Sequence, residues 1–212
     1  MPNKVKEYEN LLKTVENCTL CTRMRGQKKV LSKMNGNIFS KILFIAEAPG
    51  QFGAGKTRIP LYGDKTGENF EILLNHIGWK REDIFITNSV LCNPLKDGKN
   101  DSPNQKELRN CSRYLQKTIE IIDPEIIVTI GVKALETLKY IKQHNFLLEN
   151  NVAQILSWNN RKLFPLYHMS PRLFNCPRNG KEQMEDFKKL SKIIDPKKEN
   201  HVNYKLYFKY KD

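Results

Sequence analysis

Four cysteines are spaced so that their thiolates could bind one metal centre. Cys18 and Cys21 form a C-x-x-C pair after a helical pattern, whereas Cys92 and Cys111 are single and distant in sequence. Four thiolates bind either a structural zinc ion or a [4Fe–4S] cluster. Because a zinc ribbon normally uses two C-x-x-C pairs, the spacing favours the cluster, with zinc and ordinary buried cysteines as alternatives. The fifth cysteine, Cys176, is predicted to be a free thiol.

A second motif, Gly50–Thr57, satisfies the phosphate-loop pattern G-x-x-x-x-G-K-T after an apolar strand. Such a loop binds phosphate through backbone amides and a lysine, and would indicate a nucleotide-dependent enzyme. It must open directly into a helix, however, so that the helix N-terminus faces the anion. Pro60 and Gly63 follow too closely for a continuous helix, and the nearest magnesium-binding candidate, Ile119–Asp123, lies inside a predicted helix. The sequence therefore disfavours a nucleotide-binding loop.

Apolar patterning predicts strands that alternate with helices, and these elements must position the motifs. Ile42–Ile45 is an unbroken apolar run typical of a strand buried on both faces. Asn159–Arg161 is predicted to be a hairpin turn. The predicted helices cover residues 3–17, 68–77, 103–122, 132–141 and 181–193, and the predicted strands cover 41–46, 84–91, 126–130, 152–158 and 162–167. This alternation predicts an α/β fold, with a mainly parallel sheet and helices on both faces.

The chain has 212 residues, with 36 Lys and Arg against 23 Asp and Glu, and a formal net charge of +13. This length predicts one domain over residues 1–195, followed by a basic tail over residues 196–212. The charge favours a nucleic-acid partner, unless it only reflects the base composition of the source genome. No apolar run is long enough to cross a membrane, and no apolar signal segment begins the chain. A cytoplasmic, nucleoid-associated location is therefore expected, with cysteines that serve metal or redox chemistry rather than disulfides.

Several motifs together resemble the iron–sulfur uracil-DNA glycosylases. They are the cysteine pattern, the turn Glu47–Gly50, Asn88 and the segment His168–Pro171. The turn and Asn88 are similar to family 4 of that superfamily, whereas the loops Gly53–Thr57 and Gly63–Gly67 are more similar to family 5. The sequence is thus intermediate between families 4 and 5. The resemblance covers about residues 18–187, and it identifies the phosphate-loop-like string as part of a catalytic loop.

The resemblance implies a three-layer α/β/α fold with a short, mainly parallel central sheet. It also implies an enzyme that flips a damaged base out of DNA and hydrolyses its N-glycosidic bond, leaving an abasic site. This reaction develops positive charge on the sugar and negative charge on the base, so it needs a carboxylate and hydrogen-bond donors. Glu47, after a buried strand, is the first candidate for the carboxylate, and Asp64 is the second. Either carboxylate could instead cap a helix or contact solvent.

The same resemblance assigns the other polar and apolar side chains of the site. Asn88 is expected to pair its amide with the edge of uracil, and His168 to donate to the oxygen of the departing base. The resemblance also implies that Cys18, Cys21, Cys92 and Cys111 bind a structural [4Fe–4S] cluster. The base is expected to contact Ala48, Leu61, Tyr62 and Asn88, and the DNA to contact Ser170, Arg172 and Leu173.

Two positions depart from the family pattern. Met169 stands where a proline usually follows the histidine, and Leu61 stands where both families have a base-stacking phenylalanine. Tyr62 and Phe52 are the alternative aromatic rings. The sequence therefore predicts a monomeric DNA glycosylase with uracil as the first choice, and hypoxanthine, xanthine or a substituted pyrimidine as alternatives. A phosphate-loop enzyme and a non-catalytic nucleic-acid-binding module are the alternatives from other classes.

Overall fold

The structure is a computed structural model that describes residues 2–171 and 178–194. The candidate DNA contacts Arg172 and Leu173, the thiol of Cys176 and the predicted tail 196–212 lie outside these residues. The helices are α1 (Pro2–Glu16), α2 (Ala54–Thr57), α3 (Lys65–His76), α4 (Gln105–Ile122), α5 (Val132–Thr137), α6 (Leu148–Asn151) and α7 (Gly180–Ile193). Within the described part of the chain, no helix is long and apolar enough to span a membrane.

The main sheet has five strands in the order β2-β1-β5-β7-β6. Its first four strands are parallel, and only β6 runs antiparallel to its neighbour β7. A separate hairpin, β3–β4, lies between β2 and α4. The strands are β1 (Ile42–Ala46), β2 (Phe85–Asn88), β3 (Leu95–Lys96), β4 (Lys99–Asn100), β5 (Ile126–Ile130), β6 (Leu156–Trp158) and β7 (Arg161–Leu166). The prediction of a short, mainly parallel sheet is confirmed.

Helices cover both faces of this sheet, because successive side chains of its central strands point to opposite sides and are nearly all apolar. Leu43 and Ile45 belong to one buried cluster, which they share with side chains of α1, α4 and α5. Ile42 and Phe44 belong to the other cluster, with side chains of α3 and α7. The helices on each face and the sheet between them are the predicted three layers, and one apolar cluster lies on each side of the sheet.

The structure differs from the sequence-based elements mainly in the loops. α3 begins at Lys65 rather than at residue 68, because Asp64 caps it. The β3–β4 hairpin was not predicted, although its turn has a strong signal: Asp97 and Gly98 both have positive φ, at 51° and 72°, as a type I′ turn requires. The helix predicted from residue 103 begins at Gln105, after an Asn104 cap. The short helices α2 and α6 were also not predicted.

Candidate active site and cysteine centre

A cleft of about 480 Å³ lies at the edge of the sheet where the parallel strands end. Ligands bind at this edge in open α/β sheets, because the loops that follow the strands converge there. Glu47 follows β1, and His168 lies two residues after β7. Six of the predicted site residues line the cleft: Glu47, Ala48, Leu61, Asp64, His168 and Ser170.

Glu47 is a partly buried carboxylate in the wall of this cleft. Burial raises the pKa of Glu47, while the Ser102 side chain and the charge of Lys133 lower it. Glu136 and Asp101 raise the pKa further through like charge. The carboxylate therefore has a polar neighbour and a cation that support its ionised form within a half-buried setting.

His168 presents one ring nitrogen as a hydrogen-bond donor. Its Nδ1 accepts a hydrogen bond from the backbone N–H of Ser170 at 3.1 Å, so the neutral ring carries its proton on Nε2. Burial lowers the pKa of His168, and the charge of Asp64 opposes that shift. Gly131, with φ of 87°, lies against the ring, and a Cβ there would be 3.5 Å from the His168 Cβ. The imidazole is thus held neutral and in one orientation.

Asp64 has a structural role as well as a place in the cleft. Its Oδ1 accepts a hydrogen bond from the backbone N–H of Gly67 at 3.0 Å, which makes it the N-cap of α3. Its Oδ2 lies so close to Gly53 that a Cβ at Gly53 would approach it to 2.2 Å. The helix-capping alternative for Asp64 is therefore realised, although the side chain also lines the cleft.

Asn88 ends β2 and pairs in register with Ala46, the last residue of β1. Its side chain is buried, and its Nδ2 has no hydrogen-bond partner among the described residues. A buried amide without a partner costs free energy, so a ligand or a water molecule is expected to bond to it. Asn88 is not among the described residues that line the open cleft.

Of the three candidates for stacking on the base, Leu61, Tyr62 and Phe52, only Leu61 lines the cleft. Its side chain is 8% exposed. Tyr62 is 46% exposed and lines a separate depression, where the Arg81 guanidinium lies 5.8 Å from its ring centroid. Phe52 is 66% exposed, and the Lys56 Nζ lies 5.4 Å from its ring centroid. The structure therefore does not bring Tyr62 to the site predicted for it, because its ring packs beside Arg81.

As Pro60 and Gly63 predict, the phosphate-loop-like string does not open into a long helix. Its amides bond to carbonyl oxygens of the same loop: Gly55 N–H donates to Gly50 O at 2.8 Å, and Lys56 N–H donates to Gly53 O at 2.9 Å. Helix α2, the second half of this string, has only four residues and is capped by Arg58, whose φ is 62°. The loop is one wall of the cleft, since Gly50 and Ala54 line it.

Sequence reasoning missed the opposite wall of the cleft. That wall comes from the segment that includes the β3–β4 hairpin and contributes Asn93, Asn100, Asp101 and Ser102. Asn100 Oδ1 accepts a hydrogen bond from the backbone N–H of Gln51 at 2.8 Å, which joins the two walls. The Asp97-Gly98 dipeptide could have predicted the hairpin, but no local signal places it beside Glu47.

The four cysteines predicted to share a centre line one cavity of about 270 Å³. They come from the loop after α1, the segment after β2, and α4. None of the four is in a disulfide. Across residues 2–171 and 178–194, no three Cys, His, Asp or Glu side chains converge as ligands of a single metal ion.

Polar groups contact several of these sulfurs. Asn110 Nδ2 lies 3.6 Å from Cys21 Sγ, and the backbone N–H of Leu91 donates to Cys111 Sγ at 3.4 Å. Burial raises the pKa of the Cys92 thiol to about 11. Burial likewise raises the pKa of Cys21 and Cys111, and nearby thiolates add to all three shifts. Four thiolates together thus need a compensating cation, which is the chemistry of a metal centre.

The fold and the cleft define a class of α/β protein in which a carboxylate and an imidazole line one cleft and four cysteines line a second cavity. Comparison with known proteins agrees with this class. The profile of the uracil DNA glycosylase superfamily matches residues 34–191. The chain belongs to the uracil DNA glycosylase superfamily.

Relatives of two types are similar to the chain. The type-4 uracil-DNA glycosylase of Saccharolobus solfataricus is 34% identical over 86% of this chain and 84% of its own length. That of Thermotoga maritima is 30% identical over 85% of this chain and 91% of its own length. The type-5 uracil-DNA glycosylase of Pyrobaculum aerophilum is 21% identical over 81% of this chain and 86% of its own length. The predicted likeness to both families is confirmed, and these type-4 relatives are the more similar.

Proposed function

We propose that this protein is a DNA glycosylase that flips uracil out of DNA and hydrolyses its N-glycosidic bond, leaving an abasic site. The observation that carries the proposal is the pairing of a half-buried Glu47 with a neutral, Nε2-protonated His168 in one cleft. The superfamily membership and the names of the relatives support the same reaction.

Glu47 acts on the sugar side of the scissile bond. As the bond lengthens, the sugar gains positive charge, which an ionised carboxylate in a partly dry cleft offsets more strongly than it would in water. The same carboxylate orients and activates the attacking water. Asp64 is the second candidate for this role, but the hydrogen bond that its Oδ1 accepts from Gly67 commits half of the carboxylate to α3.

His168 acts on the base side of the bond. The departing uracil gains negative charge on its oxygens. The Nε2–H of a neutral imidazole donates a hydrogen bond to an oxygen that carries this charge. Asn88 supplies a donor and an acceptor from one amide, which suits the adjacent donor and acceptor on the edge of uracil. Ala48 and Leu61 supply the apolar walls.

The DNA partner follows from the superfamily and from the net charge of +13. Ser170 lines the cleft, and its backbone N–H bonds to His168. Its hydroxyl is our candidate for a phosphate contact. Contact of Arg172 and Leu173 with the duplex stays a prediction, as do the single domain over 1–195, the monomeric state and the cytoplasmic location.

The four-cysteine cavity fits a [4Fe–4S] cluster better than zinc. A cluster needs four thiolates around a common space, and Cys18, Cys21, Cys92 and Cys111 line one cavity. Hydrogen bonds from Asn110 and the Leu91 amide stabilise thiolate sulfurs. When bound, the cluster supplies a structural cross-link between the loop after α1, the end of β2 and α4.

The function is tested by incubating the protein with oligonucleotides that contain a single uracil, hypoxanthine or xanthine, followed by alkaline cleavage at abasic sites. Cleavage of the uracil strand is expected, and cleavage by Glu47→Gln is expected to be slower by about 10²–10⁴-fold. The matched control is Glu149→Gln, a change of an exposed residue in helix α6. Absence of uracil cleavage by protein with a full complement of iron would overturn the proposal.

A second substrate class is favoured by one observation. The residue at the family's ring-stacking position is Leu61, and neither Tyr62 nor Phe52 lines the cleft beside it. An aliphatic wall rejects a wrong base less strongly than a stacked ring of fixed shape. We therefore propose that the same cleft tolerates another deaminated or substituted base. The hypoxanthine and xanthine oligonucleotides above decide this, since cleavage of uracil alone would contradict it.

A further inference from the structure

The cleft contains a third carboxylate, Asp101, which the proposed mechanism does not use. Its Oδ2 accepts a hydrogen bond from Arg23 Nη1. Arg23 Nη2 also donates to the backbone oxygen of the next residue, Ser102, at 3.2 Å. One arginine thus neutralises a cleft carboxylate and holds the adjoining backbone.

Arg23 is itself firmly anchored. Its Nε and Nη2 donate to the two carboxylate oxygens of Glu107, at 2.9 and 2.7 Å. Glu107 is buried and belongs to the capping box at the start of α4, where Asn104 N–H donates to its Oε2 at 2.9 Å. A bidentate pair of this kind fixes orientation as well as charge. The guanidinium therefore has little freedom to move away from the cleft wall.

Arg23 lies next to the cysteine pair in the chain, so its hydrogen bonds connect the cysteine segment to the cleft. It lies two residues after Cys21, in a short 3₁₀ turn that spans Thr22–Met24. Through Glu107, the same guanidinium reaches α4, which carries Cys111. The cysteine segment is thus joined by direct hydrogen bonds to the wall of the cleft that faces Glu47.

The charges around Glu47 show what this wall does. Asp101 raises the pKa of the Glu47 carboxyl through like charge, and the Ser102 side chain lowers it. From α5, Lys133 lowers the pKa and Glu136 raises it. An Asp101 without its arginine would act on Glu47 as a full negative charge, so the ionised form of Glu47 would be less favoured.

We propose that Arg23 is a positioning residue for base excision, which neutralises Asp101 and holds the Asp101–Ser102 wall beside Glu47. This inference rests on the proposed role of Glu47 as the ionised carboxylate of the reaction.

The test is the rate of uracil excision in a single turnover, measured against pH with iron-loaded protein. Arg23→Ala is expected to lower the rate at neutral pH by about tenfold and to move the acid limb of the profile upward by about 0.5–1 pH unit. Asp101→Asn in the Arg23→Ala background is expected to return the limb toward its original pH. Asp101→Asn alone is expected to move it downward, because the like charge that raises the pKa of Glu47 is then removed.

Arg161→Ala is the matched control. Arg161 forms a comparable pair with Asp123, at 2.6 Å between Nη2 and Oδ1, at the start of β7 and away from the cleft. Its removal is expected to leave the rate and the pH profile unchanged. Should Arg23→Ala fail to bind iron or to fold, Arg23→Lys and Asp101→Asn still decide the question.

Arg23→Lys keeps the positive charge and should keep the acid limb near its original pH. An acid limb that stays in place in Asp101→Asn would overturn the inference, as would a double variant that shows no return of the limb. Failure of the proposed function has a different signature. Glu47→Gln would then excise uracil at the unaltered rate, or uracil would not be excised by the unaltered protein at all.

Discussion

Two residues of the cleft have pKa values shifted in opposite directions, as one acid–base pair requires. Burial raises the pKa of the Glu47 carboxyl and lowers that of the His168 imidazole. Both shifts come mainly from loss of water, which disfavours the charged form of each group. The proposed mechanism pairs an ionised Glu47 with a neutral His168, and a fall in pH protonates both groups.

We therefore expect the single-turnover rate to fall on the acid side and to reach a plateau above it. Since the pKa of Glu47 is raised, its part of the acid limb should lie above the pH range of an exposed glutamate. His168→Ala should lower the plateau by about 10²–10⁴-fold. A rate that increases toward acid pH would show that the imidazolium is the active form instead.

Leu61 is the residue most informative about base selection. Leu61→Phe should restore a stacking surface, which is worth about 1–3 kcal/mol with nucleic-acid bases. The ratio of hypoxanthine to uracil cleavage should fall, and uracil cleavage should persist. Because Leu61 is buried in the cluster beneath α3, the larger ring should also cost about 1–3 kcal/mol of stability. An unchanged ratio together with an unchanged melting temperature would mean that the ring points away from the cleft.

At the scale of elements, the loop between β1 and α3 is stiffened by its own hydrogen bonds and by Asp64. The two possible roles of Asp64 can be separated because asparagine caps a helix about as well as aspartate. Asp64→Asn should keep the melting temperature, whereas Asp64→Ala should lose about 1 kcal/mol of unfolding free energy. Thermal denaturation of the two variants checks this.

The catalytic readout of the same variants is expected to differ from that of Glu47→Gln. Since Asp64 Oδ1 is bound to Gly67, Asp64→Asn should slow uracil excision less than Glu47→Gln does. An equal loss of rate would transfer the main carboxylate role to Asp64.

At the scale of the whole molecule, the cysteine centre joins segments that are far apart in sequence. Cys18→Ser should lose iron and lower the melting temperature by roughly 5–10 °C, because the cross-link between the loop after α1 and α4 is broken. Cys176→Ser is the matched control and should keep its iron, since the sequence pattern leaves Cys176 outside the predicted set of four ligands. Metal analysis of purified protein checks both, and one zinc with no iron per chain would contradict the cluster.

The excess of positive charge should make DNA binding strongly dependent on salt. Arg172→Ala should weaken binding to all duplexes and reduce the slope of log K against log salt by about 1, as expected when one phosphate contact is lost. Binding measured at several salt concentrations, with and without uracil in the duplex, gives this slope. A loss of affinity confined to uracil-containing DNA would instead place Arg172 at the base.

The sequence by itself determined the layers of the fold and the identity of most candidate site residues. Unbroken apolar strands such as β1 and the helices between them have local patterns, because burial on a face repeats with the period of the element. The C-x-x-C pair and the Glu47 turn are also local. The sequence did not determine which distant residues each side chain contacts. The β3–β4 wall, the Arg23–Asp101 pair and the turning of Tyr62 toward Arg81 join residues distant in the chain. Only the tertiary structure decides such contacts, since their energy depends on which loops the packed layers bring together.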